Sequence, residues 1–263
     1  GDGGDELFGG YDRYRAMRLL TRHGGLLRMV PAMWVADTRP YSTRTRLRRL
    51  AEAARQQTPQ SQYRSMIQLF TDDQVRRLTP GAVAEAINRV DPGVPEWPEA
   101  PEPLEAAKRW DLVHYLPFDL LRKVDRASMA VGLEVRCPLL DTQVCDFAGH
   151  LPNSGLMPGG RPKGLPRQVA AQYIPKTLAN RGKSGFAVPV GEWFRTSLKQ
   201  PLLDTLTDGT LEGLGFDQGY AAELAHQHIA DKANHTHRLF ALLTLALWGR
   251  WLKEPTVPPV GLG

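Results

Sequence analysis

Cysteine is nearly absent from this 263-residue chain. Cys137 and Cys145 are too few to build a secreted disulfide scaffold and are not spaced as a metal-binding pair. Both are expected to be buried thiols in a reducing cytoplasm. Also lacking is an apolar run long enough for a bilayer: residues 239–252 are interrupted by Gly249 and Arg250 and fall short of the roughly 20 residues that span hydrocarbon. That stretch reads as a buried helix, and no membrane partner is expected. No secretory or transit segment is expected at its start. Charged residues make up 23% and no tract is long and biased, which excludes disorder for the chain as a whole. The formal net charge is +5, but no helix-turn-helix, RNA-binding or zinc-finger pattern accompanies it. The clusters Arg44, Arg46, Arg48, Arg49 and Arg13, Arg15, Arg18 therefore read as solvated helix faces or contacts for anionic small ligands, not as a nucleic-acid surface.

What is present suits one large domain or two small ones, with 42% hydrophobic residues. Leu7, Tyr11, Tyr14, Met17 and Leu20 recur at three- and four-residue steps, which predicts one face of a helix after a glycine-rich opening. Further helices are predicted near residues 26–35, 43–55, 60–70 and 71–78. The five prolines between Asp91 and Pro103 predict a surface connection. A helix from Leu104, broken or bent at Pro117, should lead into another through residues 120–131. Shorter helices are expected at 141–150 and 167–173, and longer ones at 218–230 and 237–253. A loose tail should follow over 255–263.

Three constellations carry chemistry. The opening Gly1-Asp2-Gly3-Gly4-Asp5-Glu6-Leu7-Phe8-Gly9-Gly10-Tyr11 combines glycines, which let backbone approach a ligand, with carboxylates that can hold a divalent cation. An acidic turn with Asp5 as helix cap is the plainer alternative. The second runs from Asp119 through Arg122, Lys123, Asp125 and Arg126 to Glu134, Arg136 and Asp141. Helical spacing puts Arg122 and Arg126 on one side, and the charge density predicts a partly buried ionic network, either functional or merely structural. The third is a lysine loop, Gly160-Arg161-Pro162-Lys163-Gly164, with the run from Arg181 to Pro189. A loop ammonium can neutralise charge growing on a phosphate or can simply face solvent.

Taken together, GDGGDELFGGY, then the run from Asp119 to Asp141, the lysine loop and RGKSGFAVPVGEWF resemble the glutamine-hydrolysing asparagine synthetase family in wording and order. The resemblance implies a mainly α chain. It would be the carboxy-terminal helical part of an α/β adenine-nucleotide α-hydrolase-like synthetase domain, of the PP-loop ATP pyrophosphatase type. The family's pyrophosphate loop and glutaminase domain are not found in these residues. Because the chain opens at Gly1 inside a ligand loop, it is expected to be part of a longer protein and inactive alone. The implied reaction uses ATP and Mg2+ to adenylate the aspartate side chain, which glutamine-derived ammonia attacks to give asparagine, AMP and pyrophosphate.

By the same resemblance Lys163 and Asp2 are catalytic candidates. Gly1, Gly3, Asp119, Asp125 and Arg126 would line the nucleotide and aspartate pocket, with the choice between Asp119 and Asp125 open, and Asp5 would help bind magnesium. Glu134, Arg136 and Asp141 read as structural supports. One departure stands out: Lys163 lies between Pro162 and Gly164, with Pro166 just before Arg167, where the family usually has an aromatic or aliphatic residue and a Leu-Arg pair. A relative that adenylates another carboxylate, such as a β-lactam synthetase or a peptide cyclase, is the alternative.

Overall fold

In the computed structural model, residues 2–31, 43–81, 85, 96–182 and 188–253 are described. Among them every regular element is helical and no strand occurs, as the sequence predicts for a part lying outside a nucleotide-binding sheet. Two compact units emerge. The first comprises residues 1–32, 49–66 and 95–185, and the second 33–48, 67–94 and 186–263. The expected tail over 255–263 lies outside the described residues.

In the first unit, a short helix α1 (Gly4–Leu7) is followed by α2 (Asp12–Arg28). Tyr14, Met17 and Leu20 are buried along one side of α2, which places the predicted apolar stripe on its core face. The helix continues past residue 26, kinking at His23, and ends at Arg28, so no separate helix begins at 26. α3 (Thr43–Ala54), which belongs to this unit from residue 49, and α4 (Pro59–Ile67), up to residue 66, follow. In α3, Ala51 and Ala54 are buried.

α6 (Pro103–Trp110) opens with a proline at its first turn, where the missing N–H is no loss. Its Leu104, Ala106 and Ala107 are buried, and it packs on α2. At Pro117, where a break or bend is expected, the helical chain is not broken. The chain passes from α6 into a π-helical stretch, Asp111–Leu121, and then into α7 (Arg122–Met129). The wider winding accommodates a ring that would collide with the preceding turn of an α-helix. α8 (Thr142–His150) is capped by Asp141, whose carboxylate accepts from Gln143 N–H at 2.9 Å. This bears out Asp141 as a structural support. The lysine loop ends at α10 (Gly164–Ala170), after the short α9 (Asn153–Leu156).

The second unit contains α5 (Asp72–Leu78), where Thr71 and Gln74 form a reciprocal capping box. Later come α12 (Val190–Arg195), α13 (Lys199–Leu206), α14 (Thr210–Gly213), α15 (Gln218–Ile229) and α16 (Thr236–Lys253), preceded by the short α11 (Lys176–Ala179) of the first unit. Leu78, Phe194, Leu202, Leu206, Leu211, Leu224, Leu239 and Leu242 meet in one apolar core. α16 is only half the buried helix that was predicted. Leu239, Leu242 and Ala246 face the core, while Phe240, Trp248 and Trp251 are exposed. No helix among the described residues is long and apolar enough to cross a membrane.

Candidate active site

The opening loop folds as a tight turn around α1. Gly3, not Asp5, occupies the N-cap, with φ of 81°. A Cβ there would meet Leu140 Cδ2 at 2.1 Å, so both the backbone angle and the close packing demand glycine. Beyond α1, Gly10 N–H donates to the Asp5 carbonyl at 2.8 Å, which curls the loop back on its own acidic residue. Glu6 points inward and is fully buried. Its Oε1 accepts from the Tyr11 hydroxyl at 2.6 Å, and burial pushes its carboxyl above the ordinary value.

Lys163 is brought to this loop from 158 residues away in sequence. Its backbone N–H donates to the Phe8 carbonyl at 3.0 Å, and its Nζ lies 2.8 Å from Asp5 Oδ2. The lysine adopts a left-handed conformation, φ 54° and ψ 34°, at the N-cap of α10. That conformation costs about 1–2 kcal/mol for a residue with a Cβ, and it turns the side chain toward the carboxylate. Space for the pair depends on Gly10. A Cβ there would stand 1.9 Å from Asp5 Oδ1 and 2.4 Å from Lys163 Cε. With side chains 19% and 30% exposed for Asp5 and Lys163, the pair is no freely solvated bridge, so the solvent-facing reading of Lys163 is overturned.

A second group of contacts centres on Asp2. The Cys137 thiol approaches Asp2 Oδ2 at 3.7 Å, and burial, then the adjacent carboxylate, raises the thiol pKa. Cys137 also lines a cleft of about 500 Å3 whose wall includes Asp125, Ser128 and Glu134. Both Cys137 and Cys145 are only partly buried, contrary to expectation. A larger hollow, about 760 Å3, runs along Pro59, Trp97 and Pro103, and none of the motif residues lines it.

Asp119 has a partner one turn on, Lys123, whose Nζ lies 3.3 Å from its Oδ1. Burial, then Asp119, raises the Tyr115 pKa. The predicted partly buried ionic network is not found: Arg122, Lys123, Asp125, Arg126, Glu134 and Arg136 are all exposed. Their pairings follow local sequence instead, as in Glu134 with Arg136 at 2.6 Å. The physical reason is that α7 and the segment after it carry their charges, together with Met129, Val131 and Leu133, on an outward face.

The structure thus joins Asp5 with Lys163 and places Asp125 in one cleft with the thiol that Asp2 touches. Asp119 and Arg126 lie on the consecutive π- and α-helical segments. Gly1 and residues 183–187 lie outside the described residues. As for metal, no group of three His, Cys, Asp or Glu side chains able to hold an ion occurs among the described residues. Asp5, whose Oδ2 is held by Lys163, offers the oxygen-donor chemistry that magnesium takes from one or two carboxylates beside waters and substrate phosphates.

Sequence reasoning passed over a second tier of polar residues. Arg13 and Arg18, read as a solvated helix face or as contacts for anionic small ligands, are engaged within the chain: Arg13 binds buried Asp111, and Arg18 donates to the Gly160 carbonyl at 3.2 Å. The available signal was the alternation of aromatic and arginine residues in Tyr11-Asp12-Arg13-Tyr14. Buried Lys108, its pKa lowered to about 8 by burial, gave no signal at all.

Comparison with known proteins agrees with the motif order. A sequence model described as asparagine synthase matches residues 1–250. Asparagine synthetase (glutamine-hydrolyzing) 1 of Bacillus subtilis is 28% identical over 255 residues, covering 94% of this chain and 39% of that protein. A putative asparagine synthetase (glutamine-hydrolyzing) of Mycobacterium tuberculosis is 26% identical over 261 residues, covering 98% of this chain and 40% of that protein. The amidase chry2 of Gibberella zeae is 26% identical over 250 residues, covering 82% and 35%. The chain therefore spans about two fifths of the length of the first two relatives. No solved structure gives a significant match.

Proposed function

The chain belongs to the asparagine synthase family, and from that premise we propose that it supplies the carboxylate-activating half of an ATP-dependent amide-forming site. The intact protein adenylates the side-chain carboxylate of aspartate, and glutamine-derived ammonia then displaces AMP to give asparagine. Pyrophosphate leaves in the first step. The observation that carries the reading is the Asp5–Lys163 pair, 2.8 Å apart across 158 residues and accommodated only because residue 10 is glycine.

Each residue has a role in this reading. Lys163 offers an ammonium to the charge that develops on the α-phosphate as the carboxylate attacks, the kind of preplaced electrostatic contact that acts mainly in the transition state. Gly1, Asp2 and Gly3 contact the nucleotide or the aspartate. Asp119, Asp125 and Arg126 bind substrate, the acids contacting the amino group of aspartate and the arginine a phosphate or carboxylate. Magnesium, when bound, supplies charge neutralisation on the phosphates, with Asp5 as its protein ligand. The glutaminase and the pyrophosphate loop are contributed by the rest of the protein, and the reaction takes place in the cytoplasm.

A relative acting on another carboxylate is the second reading. It is favoured by one observation, the left-handed Lys163 between Pro162 and Gly164, which departs from the family's usual loop. The test is pyrophosphate release by the intact protein with ATP, Mg2+ and a panel of carboxylates. Aspartate-dependent release with asparagine as product supports the first reading. Release with a different acid and none with aspartate replaces it with the second, and release with no acid sinks both.

A further inference from the structure

The lysine loop is fastened to the rest of the first unit from two sides. On one side it meets the opening loop. Lys163 N–H donates to the Phe8 carbonyl at 3.0 Å, Lys163 Nζ reaches Asp5 Oδ2 at 2.8 Å, and a Cβ on Gly9 would meet the Met157 sulfur at 2.2 Å. On the other side stands Arg18, in the middle of α2. Its Nη1 donates to the Gly160 carbonyl at 3.2 Å. The guanidinium also lies against the Gly160 α-carbon, since a Cβ there would stand 2.6 Å from Nη1, 2.8 Å from Nη2 and 3.1 Å from Cζ. Gly160 has φ of 75°, so both its backbone angle and the guanidinium demand glycine.

Inside the loop the backbone bonds are local. Gly160 N–H donates to the Met157 carbonyl at 2.8 Å, Arg161 N–H to Pro158 at 3.2 Å and Gly164 N–H to Arg161 at 3.1 Å. Each closes a single turn and ties the loop to itself, so none fixes where the loop sits or how far Lys163 Nζ reaches past Gly10. Lys163 is left-handed, with φ of 54°, a conformation that a residue with a Cβ does not favour by itself. Contacts from outside the loop must hold it. Those with the opening loop form one seam, about which the loop can tilt, and a second fastening on a packed helix resists the tilt. A guanidinium suits that task, because its charge strengthens a hydrogen bond to a carbonyl and its planar fork has a fixed geometry.

We infer that Arg18 is a positioning residue: by fixing Gly160 on α2 it sets the reach of the Lys163 ammonium. The inference rests on the function proposed above, in which that ammonium acts on the α-phosphate. It predicts a loss of turnover, not of affinity. Arg18→Met keeps the aliphatic stem and the helix propensity and removes the fork. In the intact protein it should lower kcat for pyrophosphate release by about ten- to a hundredfold, the size expected from a misplacement near an ångström, while KM for ATP stays within about twofold.

Arg18→Lys, which keeps the charge without the fork, should recover part of the loss. The deciding measurement is made on top of Lys163→Met. There Arg18→Met should cost less than about twofold more, because the group it acts through is already gone. Arg15→Met, at an exposed neighbour on the same helix, should keep wild-type turnover. Wild-type kcat in Arg18→Met, a loss that recurs in full on top of Lys163→Met, or an equal loss in Arg15→Met would each overturn the inference. If Arg18→Met does not fold, Arg18→Gln, which is shorter and stays polar, takes its place with the same outcomes.

Should the wild-type protein release pyrophosphate with none of the acids, the functional reading fails, and positioning is then judged by hydrogen exchange. Exchange that is faster by about tenfold or more at the amides of residues 160, 161, 163 and 164 in Arg18→Met, with α8 unchanged, upholds the fastening. Unchanged protection in the loop, or faster exchange in α8 as well, removes it.

Discussion

The two units are stabilised by different means. In the second, Leu206, Leu211 and Leu239 have no exposed surface and pack with Phe194, Leu202 and Leu242 in a core that is mainly aliphatic. In the first, Tyr14, Met17 and Leu156 are similarly buried, but so are Glu6, Lys108 and Asp111. Glu6 Oε2 and Asp111 Oδ1 are buried and have no hydrogen-bond partner among the described residues, which costs about 1–3 kcal/mol per group. Hydrophobic burial is favourable but directionless, whereas a hydrogen-bonded ion pair is costly and specific. The first unit gives up stability for defined angles where most of the motif residues lie, whereas the second is held mainly by its aliphatic core, although His228 and His235 are buried there too. That division can be broken experimentally.

The largest effect is expected at Lys163. In the intact protein, Lys163→Met should lower turnover in pyrophosphate release by about a hundred- to a thousandfold with little change in ATP affinity, because a contact made mainly in the transition state is lost. Gly10→Ala should approach the same loss, since its Cβ would overlap both Asp5 and Lys163. If either variant keeps turnover within about twofold of wild type, the first unit is not where the chemistry is set.

Next in size is a core truncation in the second unit. Leu206→Ala should cost about 2–5 kcal/mol in denaturant unfolding, with turnover per folded molecule unchanged. A selective loss of turnover in that variant would show that the units do not divide the work as described.

Acid offers a third comparison. In the second unit, His228 Nε2 lies 2.9 Å from the Gly191 carbonyl and its Nδ1 accepts from His235 N–H at 3.2 Å. Burial, then Arg238, lowers the His235 pKa to about 4, and burial lowers that of His228. The unfolded chain takes up these protons near pH 6.5, so their stabilising effect is complete above about 6.5 and is lost as pH falls toward 4. A decline on the order of 2 kcal/mol between those values is expected, and His235→Gln should flatten it. Glu6 in the first unit runs the opposite way. With its pKa raised by burial, it favours the folded state most below its unfolded value and loses that contribution as pH rises through the folded one.

The smallest effect should come from the capping box of α5. Thr71→Ala removes the acceptor for Gln74 N–H and should lower stability by about 1 kcal/mol, with no change in turnover.

Much of the fold could be read from local pattern. The stripe through Tyr14, Met17 and Leu20 and the short helix after Asp141 appear where spacing and propensity place them. These features involve neighbours within one or two turns, so sequence alone defines them. Pro117 shows the limit. A proline normally stops an α-helix, but the π-helical alternative depends on the wider turn available between α6 and α7. The charged run after Asp119 shows another limit. Helical spacing says which charges share a side, but not whether that side meets protein or solvent.

By itself the sequence determined the helical character, the motif order that marks the family, and the identity of the residues with chemical potential. Only tertiary structure decided which of them meet. Asp5 and Lys163 are 158 residues apart, Arg13 and Asp111 are 98 apart, and neither spacing contains a clue to the other partner. Such pairs form because packed helices bring distant carboxylates and cations to one place and exclude water around them. Exclusion of water makes an unpaired charge costly and a paired one directional, and it is a property of the folded chain, not of any segment of it.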